Sequence, residues 1–127
     1  MICVDTSALV AILCEEPSGP ACAVALQGAD ETLISAGTVA EAMIVAGGRR
    51  LEQQMRSLIE VAELTVVAVD HRFAMLAAEA YDHWGRGHHA AQLNYGDCFA
   101  YALAARQGCP LLYIGEDFSK TDIKSAL

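Results

Sequence analysis

The chain is predicted to form a three-layer α/β/α domain around a central, mostly parallel sheet of four to five strands. Three observations predict it. Short runs of strand-favouring residues, at 1–4, 32–35, 65–69 and 110–114, alternate with longer stretches whose apolar residues recur at helical spacing. The runs are followed by Asp, Ser or Gly, residues that turn the chain or cap a helix. Strands joined through helices pair in parallel, and right-handed crossovers place helices on both faces of the sheet. The 127 residues suffice for one core and not for two, so residues 1–127 are read as a single domain.

The first run, Met1-Ile2-Cys3-Val4, delivers Asp5 to its carboxyl end, and a helix capped by Thr6 or Ser7 follows through Leu13. Glu15 to Pro20 is a break, and 21–27 a short helix closed by Gly28. Thr32-Leu33-Ile34-Ser35 is the second strand. Thr38-x-x-Glu41 has the spacing of a capping box and opens the helix that reaches Gly47-Gly48. Residues 50–63 place Leu51, Met55, Leu58, Ile59 and Ala62 on one side of an amphipathic helix, and 65–69 form the third strand. Asp70 caps a helix over 71–84 that turns Phe73, Leu76, Ala77 and Ala80 inwards. A loop at 85–89 precedes a helix that Asn94 starts and Gly108 stops, and 110–114 is the fourth strand.

Composition narrows the function. Hydrophobic residues make up 54 % of the chain, yet no run approaches the roughly 18 residues of a membrane span. The surplus predicts a protein partner rather than a membrane. No basic segment precedes an apolar one at the start, so a cytoplasmic location is expected. The five cysteines lack CxxC spacing and read as small buried hydrophobes. A net charge of −8 opposes a polyanionic partner unless the acids hold divalent cations.

Asp5, Glu41, Asp97 and Asp117 each fall just beyond a strand or in an early helical turn, which in a parallel sheet is one edge, where ligands bind. Singly, each has a structural explanation as a cap or turn residue. Jointly they would repel. Two unit charges about 6 Å apart at an effective dielectric of 20 cost roughly 3 kcal/mol, and four cost on the order of 10. That rivals a domain's whole stability of about 5–15 kcal/mol. Protonation or a cation must relieve such a cluster, and an oxygen-rich set suits Mg²⁺, with Mn²⁺ as substitute. The implied chemistry is metal-assisted hydrolysis of a phosphodiester, with a carboxylate such as Asp117 or Glu41 orienting the attacking water. Ser7 as a nucleophile has no histidine near it in sequence and is better explained as a cap.

These residues resemble the PIN domains, and among them the VapC-type toxins of bacterial toxin–antitoxin modules. The resemblance spans nearly the whole chain. Val4-Asp5-Thr6-Ser7-Ala8-Leu9 is similar to the family's opening motif and Glu41-Ala42 to its second acid. Leu93-Asn94-Tyr95-Gly96-Asp97-Cys98-Phe99-Ala100 is similar to the third and most specific motif. Gly115-Glu116-Asp117-Phe118 with Thr121-Asp122-Ile123 resembles the closing segment of one subgroup. The resemblance implies a metal-dependent endoribonuclease with Asp5 and Asp97 as the principal Mg²⁺ ligands. Glu41 and Asp117 would complete the pocket, Thr6 would orient it, and Asp122 is an alternative fourth acid. It further implies an RNA substrate, a VapB-like antitoxin and a homodimer.

Arg86, His88 and His89 are the expected RNA contacts, because Gly85 and Gly87 let backbone amides approach phosphates. Arg49, Arg50 and Arg56 read as a solvated face. Two other readings exist. A response-regulator receiver would use Asp70 as its phosphoacceptor, but needs an acidic pair after the first strand and a Lys after the last. A PIN-like module without catalysis is disfavoured by the presence of all four acids.

Overall fold

A computed structural model describes all 127 residues. Four strands, β1 (Ile2–Val4), β2 (Thr32–Ser35), β3 (Thr65–Val67) and β4 (Leu111–Leu112), form one sheet in the order β3-β2-β1-β4 with every pairing parallel. Six helices connect them: α1 (Thr6–Leu13), α2 (Gly19–Gly28), α3 (Ala36–Gly48), α4 (Glu52–Val61), α5 (His71–Trp84) and α6 (Tyr95–Gln107). A single 3₁₀ turn, Phe118–Lys120, lies near the C-terminus.

Alternation along the strands divides the interior into two cores. Cys3, Leu33, Leu111 and Tyr113 face one side, where Phe73 and Ala77 of α5 and Phe99 and Leu103 of α6 cover them. Val4, Ile34 and Leu112, the intervening residues, face the other side with Leu9, Cys22, Ala46 and Met55 of α1 to α4. Period-two side chains in strands buried on both faces require this arrangement, which is the predicted three-layer fold. No helix is long and apolar enough to cross a membrane. Cys3, Cys22, Cys98 and Cys109 are buried, Cys14 is half-buried, and all five are free thiols.

Several boundaries differ from expectation. The cap of α1 is Asp5, not Thr6 or Ser7, because the Asp5 side chain accepts from the Ser7 N–H. α2 starts at Gly19 rather than at 21, and α3 at Ala36 rather than Thr38, capped by the Ser35 hydroxyl on the Gly37 N–H. Thr38-x-x-Glu41 is therefore no capping box: Thr38 is already inside the helix. α4 is shorter than 50–63, β3 ends at Val67, and β4 keeps two of the five expected residues. β3 stops at Val67, opposite Ser35, because Ala36 has already begun α3, and β4 stops at Leu112, opposite Val4, because Asp5 already caps α1; Pro110, outside β4, still accepts from the Cys3 N–H. α5 and α6 match expectation, with Gly108 left-handed at φ 63° beyond α6.

The order of strands fixes where a site can form. From β1 the chain moves to β2 on one side, and β4 returns to the other side of β1. The crevice beyond the carboxyl ends of β1, β2 and β4 is the position at which such sheets bind ligands.

Candidate active site

Asp5 occupies that crevice at the end of β1. Its backbone N–H donates to the Leu112 carbonyl at 2.9 Å, so it still belongs to the sheet while its side chain begins α1. Oδ2 accepts from the Ser7 N–H at 3.0 Å and from Ser7 Oγ at 2.6 Å. Ser7 Oγ in turn accepts from the Ile114 N–H at 3.0 Å, which ties the start of α1 to the chain leaving β4. Oδ1 is buried and has no hydrogen-bond partner. Burial pushes the carboxyl up to about 6; the Ser7 bonds oppose the shift and the Glu41 charge adds to it.

Glu41 reaches the same place from α3. Its Oε1 accepts from Thr6 Oγ1 at 2.6 Å, so Thr6 orients an acid from a different element. The carboxylate lies against Gly96, where any Cβ would overlap Oε2. A glycine in the first turn of α6 is thus explained by close approach rather than by backbone conformation. Thr38 Oγ1, fully buried nearby on α3, has no partner.

Asp97 is the third residue of α6 and forms a reciprocal box with its cap. The Asp97 N–H donates to Asn94 Oδ1 at 2.9 Å, and the Asn94 N–H to Asp97 Oδ2 at 3.0 Å. The structural reading of this residue is therefore right, and it does not displace the functional one. Burial pushes Asp97 up to about 7, against the Asn94 bond, with further upward contributions from the charges of Asp5, Glu41 and Asp117. Asp117 is exposed just before the 3₁₀ turn. Asp122 is engaged elsewhere, accepting from the Tyr101 hydroxyl at 2.6 Å.

The four expected acids thus act on one another at one edge of the sheet, Asp97 sensing the other three. They are not a ready-made cage, since no three His, Cys, Asp or Glu side chains are grouped closely enough to hold an ion by themselves. The donor set nevertheless fits a hard divalent ion, which takes one or two carboxylates and completes its shell with water and substrate oxygens. The unpartnered Asp5 Oδ1 is the atom that fits it best, because a buried carboxylate oxygen without a donor is strongly disfavoured unless a cation or water meets it.

Arg86, His88 and His89 are exposed in the turn after α5. His88 packs edge-on to Tyr81 at 5.7 Å and His89 to Trp84 at 4.7 Å. Arg86 shares a hollow with Tyr81, Asn94 and Tyr95 at the start of α6, next to Asp97 in sequence. Asp70 caps α5 through the Phe73 N–H at 2.8 Å, an ordinary structural role that leaves nothing for the receiver reading. Sequence reasoning missed the Ser7 bridge to Ile114 and the purpose of Gly96. The first had no signal in the sequence, since its partner is a backbone amide 107 positions away. The second had one: a glycine beside an acid in a helical turn where alanine would be more favourable.

Comparison with known proteins gives concordant matches. The family model described as PIN domain matches residues 2–124. Ribonuclease VapC28 of Mycobacterium tuberculosis is 44 % identical over 128 residues, covering 98 % of this chain and 96 % of that protein. Among solved structures, M. tuberculosis VapC20, described as a sarcin-ricin loop cleaving toxin, aligns with a TM-score of 0.78 at 16 % identity over 97 % of this chain and 96 % of the other. A toxin–antitoxin complex from Klebsiella pneumoniae aligns with a TM-score of 0.70 at 19 % identity, over 96 % and 93 %. At those identities the two structures bear on the fold alone.

Proposed function

This chain belongs to the PIN domain family and is an endoribonuclease of its VapC toxin type, and on that premise we propose that it cuts RNA at the edge formed by Asp5, Glu41, Asp97 and Asp117. The observation that carries the assignment is the buried Asp5 carboxylate with one oxygen held by Ser7 and the other without a partner, beside an Asp97 whose charge is disfavoured by three neighbouring acids. Asp5 and Asp97 would hold a Mg²⁺ ion, with Mn²⁺ as substitute. The ion would neutralise this cluster, polarise the scissile phosphate and stabilise the charge that develops there.

The chain's own residues have separable tasks. Ser7 fixes Asp5 Oδ2 and leaves Oδ1 free; Thr6 fixes one oxygen of Glu41; Asn94 fixes one oxygen of Asp97. Glu41 or Asp117 orients the attacking water for in-line displacement at phosphorus, and Asp117, exposed and without a hydrogen-bonded partner in the pocket, is the freer to accept its proton. Arg86, His88 and His89 contact the RNA backbone beside α6.

The test is cleavage of single-stranded RNA with Mg²⁺, with Mn²⁺ and in EDTA. Asp5→Asn and Asp97→Asn are each expected to abolish cleavage in a folded protein. Full activity of both variants, or undiminished activity in EDTA, contradicts the assignment.

The partners follow from the same reading. A VapB-like antitoxin would silence the enzyme in the cytoplasm with an amphipathic helix and an arginine that competes with the cation for the acidic pocket. A mainly apolar hollow between α5 and α6, lined by Ala74, Ala78, Phe99 and the exposed Tyr95, supplies a homodimer face.

A further inference from the structure

A second groove, on the opposite side of α5 from that hollow, has no role in the reading given so far. Arg72, Leu76, Glu79 and His83 line it from α5, Tyr101 and Arg106 from α6, and Trp84 and Asp122 close one end; its volume is about 540 Å³. Its aromatic end is a cluster. The Trp84 ring has His83 at 4.4 Å, His89 at 4.7 Å and Tyr101 at 6.1 Å. Its other end carries two guanidinium groups in a chain of net charge −8, and Arg106 is held there over the Phe73 ring at 4.8 Å. Two acids also line it: Asp122, at the aromatic end, which accepts from the Tyr101 hydroxyl, and Glu79 on α5.

We propose that this groove is a subsite for single-stranded RNA, in which unpaired bases of the strand leaving the cleavage site pack against the Trp84–Tyr101 cluster and Arg72 and Arg106 hold the phosphates that follow. The inference rests on the endoribonuclease reading and names where its substrate runs. Continuity supports the path. Tyr101 is one helical turn beyond Asp97 on α6, about 6 Å along the axis, and Arg106 about 14 Å beyond it. The segment from Asp117 to Asp122 connects the same two places, since Asp117 acts on Asp97 and Asp122 binds Tyr101. His89, edge-on to Trp84 at 4.7 Å, accepts from the Ala91 N–H through Nδ1 at 2.9 Å, which leaves its Nε2 without a hydrogen-bond partner in the chain. Aromatic faces with flanking arginines recognise unpaired bases and backbone irrespective of sequence, and a duplex, whose bases are already stacked, offers them nothing to receive.

Trp84 is the only tryptophan, so its fluorescence reports on the groove directly. The Asp97→Asn chain, in EDTA to prevent cleavage, is titrated with a labelled single-stranded oligoribonucleotide of about twelve nucleotides. Binding is followed by anisotropy of the label and by Trp84 emission. The subsite requires that both signals saturate together, that duplex RNA leaves Trp84 unmoved, and that Arg72→Gln with Arg106→Gln weakens binding on the order of tenfold. Loss of two phosphate contacts should also flatten the salt dependence of log K by about 1.4. RNA that binds by anisotropy while Trp84 emission and the double variant report no change overturns the subsite and leaves the nuclease reading standing. RNA that binds by neither signal, in this chain and in wild type with Ca²⁺, overturns both. If an amphipathic helical peptide, rather than RNA, moves Trp84, the groove is a protein-docking surface and the proposal is wrong.

Discussion

Two carboxyl groups decide the behaviour of this site at the scale of single residues. Asp5 and Asp97 have pKa values raised by burial, to about 6 and about 7, above the 3.8 of an ordinary Asp. An acid raised in the native state binds more protons folded than unfolded between the two values, so its contribution to stability falls as pH rises through that window. Without metal, the protein is therefore expected to melt at lower temperature at pH 8 than at pH 5.5. The shift of Asp5 corresponds to about 3 kcal/mol in all, most of it lost between pH 3.8 and about 6, so Asp97, raised to about 7, carries the larger part of the change over this range. Asp5→Asn should remove part of this slope and leave the metal-free protein as stable at pH 8 as wild type, or more so. Thermal melts in EDTA across that range provide the check, and a wild-type slope of the opposite sign would contradict the burial account.

Neighbouring residues make sharper cases. Ser7→Ala removes a bond to Asp5 and leaves the Ile114 N–H without its acceptor, for which about 1–3 kcal/mol of destabilisation is expected in chemical denaturation. Gly96→Ala would normally favour a helix, but its Cβ overlaps the Glu41 carboxylate, so that acid must move. Cleavage should drop at least tenfold while the fold persists. An unchanged rate would show that the position of Glu41 is not critical.

The elements explain what was legible in the sequence and what was not. α5 and α6 are read correctly to the residue because their caps are encoded locally: Asp70 and Asn94 bond amides three positions on, and Gly108 supplies the left-handed residue that ends α6. The strands are recognisable by composition, yet β4 keeps two residues, since strand length depends on when the partner turns away, which no local pattern states. Thr38-x-x-Glu41 has the right spacing for a capping box and makes none. Ser35 caps α3 first, and the Thr6 hydroxyl from a distant element claims Glu41. The acids could be listed from sequence because each follows a strand or opens a helix in a parallel sheet. Their unequal status could not, because burial of Asp5 and exposure of Asp117 are properties of the packed edge. Thr38→Val tests this packing: its hydroxyl is buried without a partner, so the change should be neutral or stabilising in melts, whereas a Thr used as a donor would lose stability.

For the whole molecule, an acidic chain of net charge −8 that acts on a polyanion needs its repulsion relieved where substrate and protein meet. A divalent ion at the acidic edge would provide that relief, and an antitoxin arginine would compete for the same charge. Replacing that arginine by alanine should restore cleavage in the complex at a smaller loss of affinity than truncating the antitoxin's helix. The central claim, that Asp5 and Asp97 together hold the ion, is tested most directly by calorimetric titration of Mn²⁺ into the protein in buffers of different ionisation enthalpy. With carboxyl groups near 6 and 7, binding at pH 6.5 should expel about one proton per chain and at pH 8.5 almost none, with both the heat and the proton lost in Asp5→Asn and Asp97→Asn. Mn²⁺ binding that releases no proton at pH 6.5, or that survives both substitutions, would place the ion elsewhere and contradict the account.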